Sequence, residues 1–216
     1  MVRILTLLGS AAIVAAASAP ALSPASLAKG EQPPRITVFD GARILDGNGG
    51  PPIESGRIVI EDGRIRAVGP TTAVAAPQGA TRVDLAGRTI MPAMINVHTH
   101  MGYEAYSTWG AHNHTAANLL DQLQREAFYG VAAATSVGSS PTGLSLQFQR
   151  DQQAGKLAPA ARYLFMPGMA PPNGGPDHIL REATNELRVI NEVTTPAEAR
   201  AAIARMADQG ILQLCF

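Results

Sequence analysis

Between Arg35 and Asp84 apolar and polar residues alternate in short runs cut by turn residues. The runs are Ile36 to Phe39, Ala42 to Leu45, Arg57 to Glu61 and Arg64 to Val68, separated by Asp40-Gly41, Asp46 to Gly50 and Asp62-Gly63. A period of two is the pattern of half-buried strands. Asp62-Gly63, between Ile58-Val59-Ile60 and Ile65-Arg66-Ala67-Val68, is a strong two-residue hairpin signal, and Asp40-Gly41 reads as another turn. This stretch predicts a small antiparallel β module.

Past residue 90 the pattern changes to strands alternating with helices. Met91 to Val97 is strand-like. Thr115 to Tyr129 predicts a helix with Ala116, Leu119, Leu120, Leu123 and Ala127 on one face and Gly130 as its stop. Val131 to Val137 is small and apolar, as a buried parallel strand is. A helix from Thr142 to Ala154 ends at Gly155, and Tyr163 to Met166 is a third apolar run. Gly168 to His178, rich in proline and glycine, reads as a loop. Thr195-Pro196-Ala197-Glu198 is a capping box with proline at the first helical position, opening a helix to about Gln209, and Ile211 to Phe216 starts another strand. Repeated β-α units imply a parallel sheet with right-handed crossovers, open or closed into a barrel. No glycine-rich phosphate fingerprint follows any of the strands.

The first residues stand apart. Arg3 precedes an almost wholly apolar run from Ile4 to Ala19, and Ser26-Leu27-Ala28 supplies small residues for cleavage, so residues 1–28 are expected to be a secretory signal, with a secreted or periplasmic product. Pro20 and Pro24 close the apolar run short of the roughly 20 residues a stable membrane span needs. The chain has 216 residues, 46% of them hydrophobic, and its 17 basic and 17 acidic residues cancel. Such a balance gives no reason to expect nucleic acid as a partner; a small-molecule substrate is expected, and a homo-oligomer is compatible with it. Cys215 is the single cysteine, which leaves no internal disulfide.

The chemistry concentrates at Ile90-Met91-Pro92-Ala93-Met94-Ile95-Asn96-Val97-His98-Thr99-His100. Alternate side chains of a strand share a face, so His98 and His100 point the same way at the carboxyl end of what reads as a buried strand. Imidazole is the commonest side-chain metal ligand, and the pair forms half a metal site. Two strand histidines satisfied by backbone groups would give the same spacing. A second pair, His112 and His114, falls in the loop before the first helix and is expected to be solvated there. Tyr103 and Glu104 just past the motif, and Asp177 and His178 in the later loop, are substrate-side candidates, Tyr103 and His178 foremost. Trp109 either packs that first loop or binds substrate.

The order of secretory signal, β module and strand ending in His-x-His resembles the amidohydrolase superfamily, in particular its imidazolonepropionase-like and prolidase-like branch. Val83 to Pro92 is similar to the entry into the first barrel strand, Leu123 to Gly138 to the first helix and second strand, and Arg162 to Gly168 to the third. The resemblance implies an α/β fold: an incomplete (β/α)8 TIM barrel of three to four units over residues 91–216, preceded by a β-sandwich portion over 29–90. It implies hydrolysis of a C–N bond in a non-peptide amide, cyclic amide or Xaa-Pro dipeptide through metal-activated water. One or two divalent ions, zinc foremost, would be held first by His98 and His100. Family members carry further ligands later: a lysine on the fourth strand, histidines on the fifth and sixth, and an aspartate on the eighth.

Residues 91–216 amount to about half of a roughly 250-residue barrel. Ile211 to Phe216 lacks the lysine, Lys156 sits near a helix end, and Ala93 and Asn96 replace the usual glycine and aspartate. The expectation is therefore that residues 1–216 alone are inactive, as the product of a shifted frame or early stop. The alternatives are a non-catalytic truncated product and a metal-binding or interaction module.

Overall fold

The computed structural model describes residues 35–175, 178–211 and 213–215; the leader expected over 1–28 lies outside the described residues. Strand β1 (Ile36–Ile44) runs straight through Asp40-Gly41 instead of turning there. Gly41 adopts φ 80°, and the register against the next strand shifts between Asp40 and Ala42. The pair that read as a turn is thus a bulge inside one strand. Strands β2 (Ile53–Glu61) and β3 (Arg64–Pro70) form the predicted hairpin, with Asp62 at φ 49° and Gly63 at φ 77°, both positive as a type I′ turn requires. The module is not wholly antiparallel. Strands β4 (Thr81–Asp84) and β5 (Thr89–Ile90) both pair with β1 in parallel, because the chain after β3 crosses back before re-entering the sheet.

Asp40 locks this sheet across three strands. Its carboxylate accepts from Arg57 Nε at 3.0 Å and Nη2 at 3.1 Å, and Arg82 of β4 reaches the same group. The Arg82 hydrogen bond, then that of Arg57, holds the Asp40 carboxyl below the usual carboxylate range. Asp40→Asn leaves two guanidinium groups half-paired and is expected to destabilise the chain by about 1 to 2 kcal/mol. Urea unfolding at pH 7 reads this directly.

The remaining elements begin with β6 (Met94–Thr99), a small hairpin of β7 (Glu104–Ala105) and β8 (Thr108–Trp109), and a single 3-10 turn at Ala111–Asn113. Helix α1 (Ala116–Phe128) is capped by Thr115, whose hydroxyl accepts from Asn118 N–H at 3.2 Å. Then come β9 (Val131–Val137), α2 (Thr142–Gln153), β10 (Arg162–Met166) and β11 (Gly168–Ala170). Strand β11 falls inside the segment Gly168 to His178 that read as a loop, and helix α3 (His178–Glu186) and strand β12 (Ile190–Glu192) follow in a stretch that carried no sequence prediction. Helix α4 (Pro196–Asp208) starts on the predicted capping box, with both reciprocal hydrogen bonds made.

Strands β10, β9 and β6 form a parallel sheet in that order, and β11 pairs β12 in parallel. The expected final strand reduces, among the described residues, to one parallel bridge between Gly168 and Cys215. Leu119 and Leu123 of α1 pack with Ala134, Phe148, Tyr163 and Met206 into the main core. Ala116 and Ala127, predicted for the same helix face, are exposed.

Strand β6, which read as buried, is an end strand among the described residues, paired on one side only, and Ile95 and Val97 are 61% and 68% exposed. A strand with one neighbour leaves its outer edge and part of its apolar surface uncovered.

Candidate metal centre

Strand β6 delivers His98 and His100 to the carboxyl end of the parallel sheet. Thr99 Oγ1 donates to the Thr135 carbonyl of β9 at 3.0 Å, which fixes the strand end between the two histidines. The imidazole centroids lie 5.3 Å apart with the rings nearly perpendicular. Two imidazoles bound through nitrogen at about 2.0–2.1 Å to one tetrahedral ion have centroids about 5 Å apart, so the spacing of the pair is compatible with two corners of a zinc-type site. Both rings open onto a cavity of about 720 Å³, together with Gly138, Met169, Leu180, Thr195 and Cys215. Among the described residues no group of three or more His, Cys, Asp or Glu side chains is arranged to hold an ion. The structure therefore brings two histidines together and, among the described residues, no complete ligand set.

The end of β9 supports this pair with buried serines. Ser139 Oγ lies 3.1 Å from His100 Nδ1. Ser136 Oγ accepts from Met101 N–H at 3.1 Å and from Ser140 Oγ at 2.7 Å. Ser136, Ser139 and Ser140 are all fully buried. Sequence reasoning passed over them; the only signal was a run of small polar residues, Ser136-Val137-Gly138-Ser139-Ser140, closing an apolar strand.

Asn96, which stands where the resembled family carries an aspartate, does not reach either ring. Its amide donates to Glu126 Oε1 at 3.0 Å, tying β6 to α1, and its Oδ1 lies 3.4 Å from the His98 backbone nitrogen.

Tyr103 is fully buried, lines neither cavity next to His100, and its hydroxyl donates to the Ser139 carbonyl. Burial pushes its phenol well above the ordinary tyrosine range. Its position makes it a packing and anchoring residue of the loop after β6. Glu104 and Trp109 instead line a second cavity of about 410 Å³ on the other side of His100. Trp109 also leans on the Tyr103 ring at 5.7 Å. His178 opens α3, but its side chain lies outside the described atoms, as does Asp177.

His112 is exposed, as expected, whereas His114 is not. The latter is 7% exposed, packs edge-on against Tyr103 at 5.1 Å, and neither ring nitrogen has a hydrogen-bond partner among the described residues. Burial lowers its pKa to about 4, so the ring is neutral at pH 7. A loop residue that read as solvated is a core residue because the loop folds back over Gly102 and the end of α1. Gln122 and Asn118 of α1 hold Gly102 there, at 2.8 and 3.1 Å.

No family model matches the chain. A segment of 50 residues is 50% identical to imidazolonepropionase from Paracoccus denitrificans (strain Pd 1222), covering 23% of this chain and 12% of that protein. Another of 49 residues is 47% identical to 5-methylthioadenosine/S-adenosylhomocysteine deaminase from Nitratidesulfovibrio vulgaris (strain DP4), covering 22% and 11%. Among solved structures, a protein described as a prolidase from Bifidobacterium longum matches with a TM-score of 0.59 at 25% identity, over 82% of this chain and 39% of that one. Ochratoxinase from A. niger matches in fold with a TM-score of 0.63 at 14% identity, over 83% and 45%. The chain thus spans less than half the length of these structures, and its sequence matches cover about a tenth of the curated relatives. Sequence relatives and structural neighbours agree: over the residues matched, this chain resembles the amino-terminal portion of an amidohydrolase-superfamily enzyme.

Proposed function

We propose that these residues belong to a metal-dependent amidohydrolase that cleaves a C–N bond in a small molecule, and that His98 and His100 are its first two metal ligands. The observation that carries the reading is the geometry of the pair: two imidazoles from one strand end, 5.3 Å apart, opening onto one cavity. The sequence relatives named imidazolonepropionase and deaminase, and the neighbours named prolidase and ochratoxinase, support the class of reaction. When bound, a divalent ion such as zinc supplies an activated water and polarises the carbonyl under attack. The chain's own residues orient that site. Thr99 and Ser139 hold the strand end and the His100 ring, while apolar groups such as Met169 and Leu180 shape the adjoining space for an uncharged part of the substrate. The fold around them is proposed to be the first three to four units of a (β/α)8 barrel behind a β module, and residues 1–28 to direct export.

Residues 1–216 by themselves are expected to bind metal without turnover. Two histidines hold an ion less firmly than three or four ligands do, and no carboxylate among the described residues lines the cavity as a general base. Equilibrium dialysis of the purified chain against zinc should give one ion per chain, held more weakly in each of His98→Ala and His100→Ala and lost when both are replaced, with no hydrolysis of an N-aryl amide, a cyclic imide or Gly-Pro. Zinc uptake unchanged in both variants would refute the metal assignment. Turnover that depends on these histidines would refute the inactivity of this stretch and leave the family reading standing.

A further inference from the structure

His100 is held by more than its own strand. Its Nδ1 lies 3.1 Å from Ser139 Oγ, and Ser139 has no exposed surface. The serine is fixed from its other side, since the Tyr103 hydroxyl donates to its backbone carbonyl. The preceding residue, Gly138, turns the chain at φ 64° and donates its N–H to the Met166 carbonyl of β10 at 2.7 Å. Tyr103 is fully buried in turn, with the His114 ring edge-on against it at 5.1 Å. A continuous set of contacts therefore runs from the loop after β6, through Tyr103 and Ser139, back to the His100 ring.

A ring nitrogen engaged by a fixed hydroxyl sets both the tautomer and the rotation of an imidazole. A hydroxyl accepts as well as donates, and an Nδ1–H bonded to Ser139 Oγ puts the coordinating lone pair on Nε2. Resting on the metal reading proposed above, we infer that Ser139 is a positioning residue of the metal site. Pinned at its carbonyl by Tyr103, it holds Nδ1 of His100 so that an ion is taken through Nε2. The hydroxyl takes the kind of orienting part that a carboxylate or backbone carbonyl commonly takes at a metal-binding histidine. Tyr103, expected beside the substrate, acts one step further back.

The test uses zinc and the full chain. Competition against a chromophoric zinc chelator should show affinity falling roughly 10- to 100-fold in Ser139→Ala, the usual effect of removing an orienting partner. Long-range proton–nitrogen NMR correlations of the zinc-loaded chain should show His100 protonated at Nδ1 and bound through Nε2, with that single pattern lost in Ser139→Ala. A purely structural serine would move the melting temperature and leave the nitrogen pattern intact. If Ser139→Ala does not fold, Tyr103→Phe, which removes only the pinning hydroxyl, carries the same readouts and should weaken zinc several-fold. Zinc held by both histidines with unchanged affinity and nitrogen pattern in the folded variant overturns the role of Ser139 alone. So does coordination of His100 through Nδ1 in the unaltered chain. Zinc binding that survives loss of both histidines overturns the metal reading beneath it.

Discussion

Acidification from pH 7 to pH 4 is expected to remove on the order of 3 kcal/mol of folding stability through one residue, His114. An imidazole in the unfolded chain titrates near 6.5, while burial holds that of the folded chain near 4. Between those values the unfolded chain binds a proton that the folded chain refuses, so protonation favours unfolding. The contribution is complete above about pH 6.5 and disappears as the pH falls through 4. The carboxylates held low by partners, Asp40, Asp46, Asp151 and Glu198, keep their contributions until the pH falls into the ordinary carboxylate range and lose them from there down through their lowered values. The two windows are therefore separable. Urea midpoints measured between pH 7 and 5, above the carboxylate window, should fall in the unaltered chain and stay nearly level in His114→Phe, which keeps an aromatic ring against Tyr103. An equal fall in both would mean that His114 is solvated.

Gly102→Ala should be the most damaging small substitution in the same loop, at about 2 to 4 kcal/mol. Two costs add at this position. Gly102 sits at φ 98°, a conformation that side chains rarely adopt, and an added Cβ would lie 2.7 Å from the His114 ring. The ring has little room to retreat because it is buried and packs edge-on against Tyr103. Chemical denaturation of the variant at pH 7 measures the loss. A change below about 0.5 kcal/mol, the level of an ordinary surface substitution, would show that the loop does not pack over the ring.

What the sequence made legible is local. Asp62-Gly63 specifies its own turn, Thr195-Pro196-Ala197-Glu198 specifies its own cap, and Gly130, Gly155 and Gly210 take the positive φ just past the ends of α1, α2 and α4. The features that were missed depend on residues far apart in the chain. Asp40-Gly41 has turn chemistry, yet the parallel partners β4 and β5 hold β1 straight through it as a bulge. Helix α3 and strand β12 were hidden behind the proline and glycine of the preceding loop, and β12 exists as a strand because it pairs with β11. His114 read as solvated because polar neighbours surround it in sequence, while in space Gly102 and Tyr103 enclose it. Ser139 had no periodic signature at all. Its meaning comes from the His100 ring, 39 positions away in sequence. Of the candidate site, the pair His98 and His100 was readable from spacing alone, and what orients it was not.

Zinc K-edge X-ray absorption of the chain loaded with one equivalent of zinc reads most directly whether His98 and His100 share one ion. Two imidazole scatterers at about 2.0–2.1 Å, with water completing the shell, are predicted for the unaltered chain. One of them should vanish in each of His98→Ala and His100→Ala. A spectrum of the same imidazole count in all three proteins would contradict it.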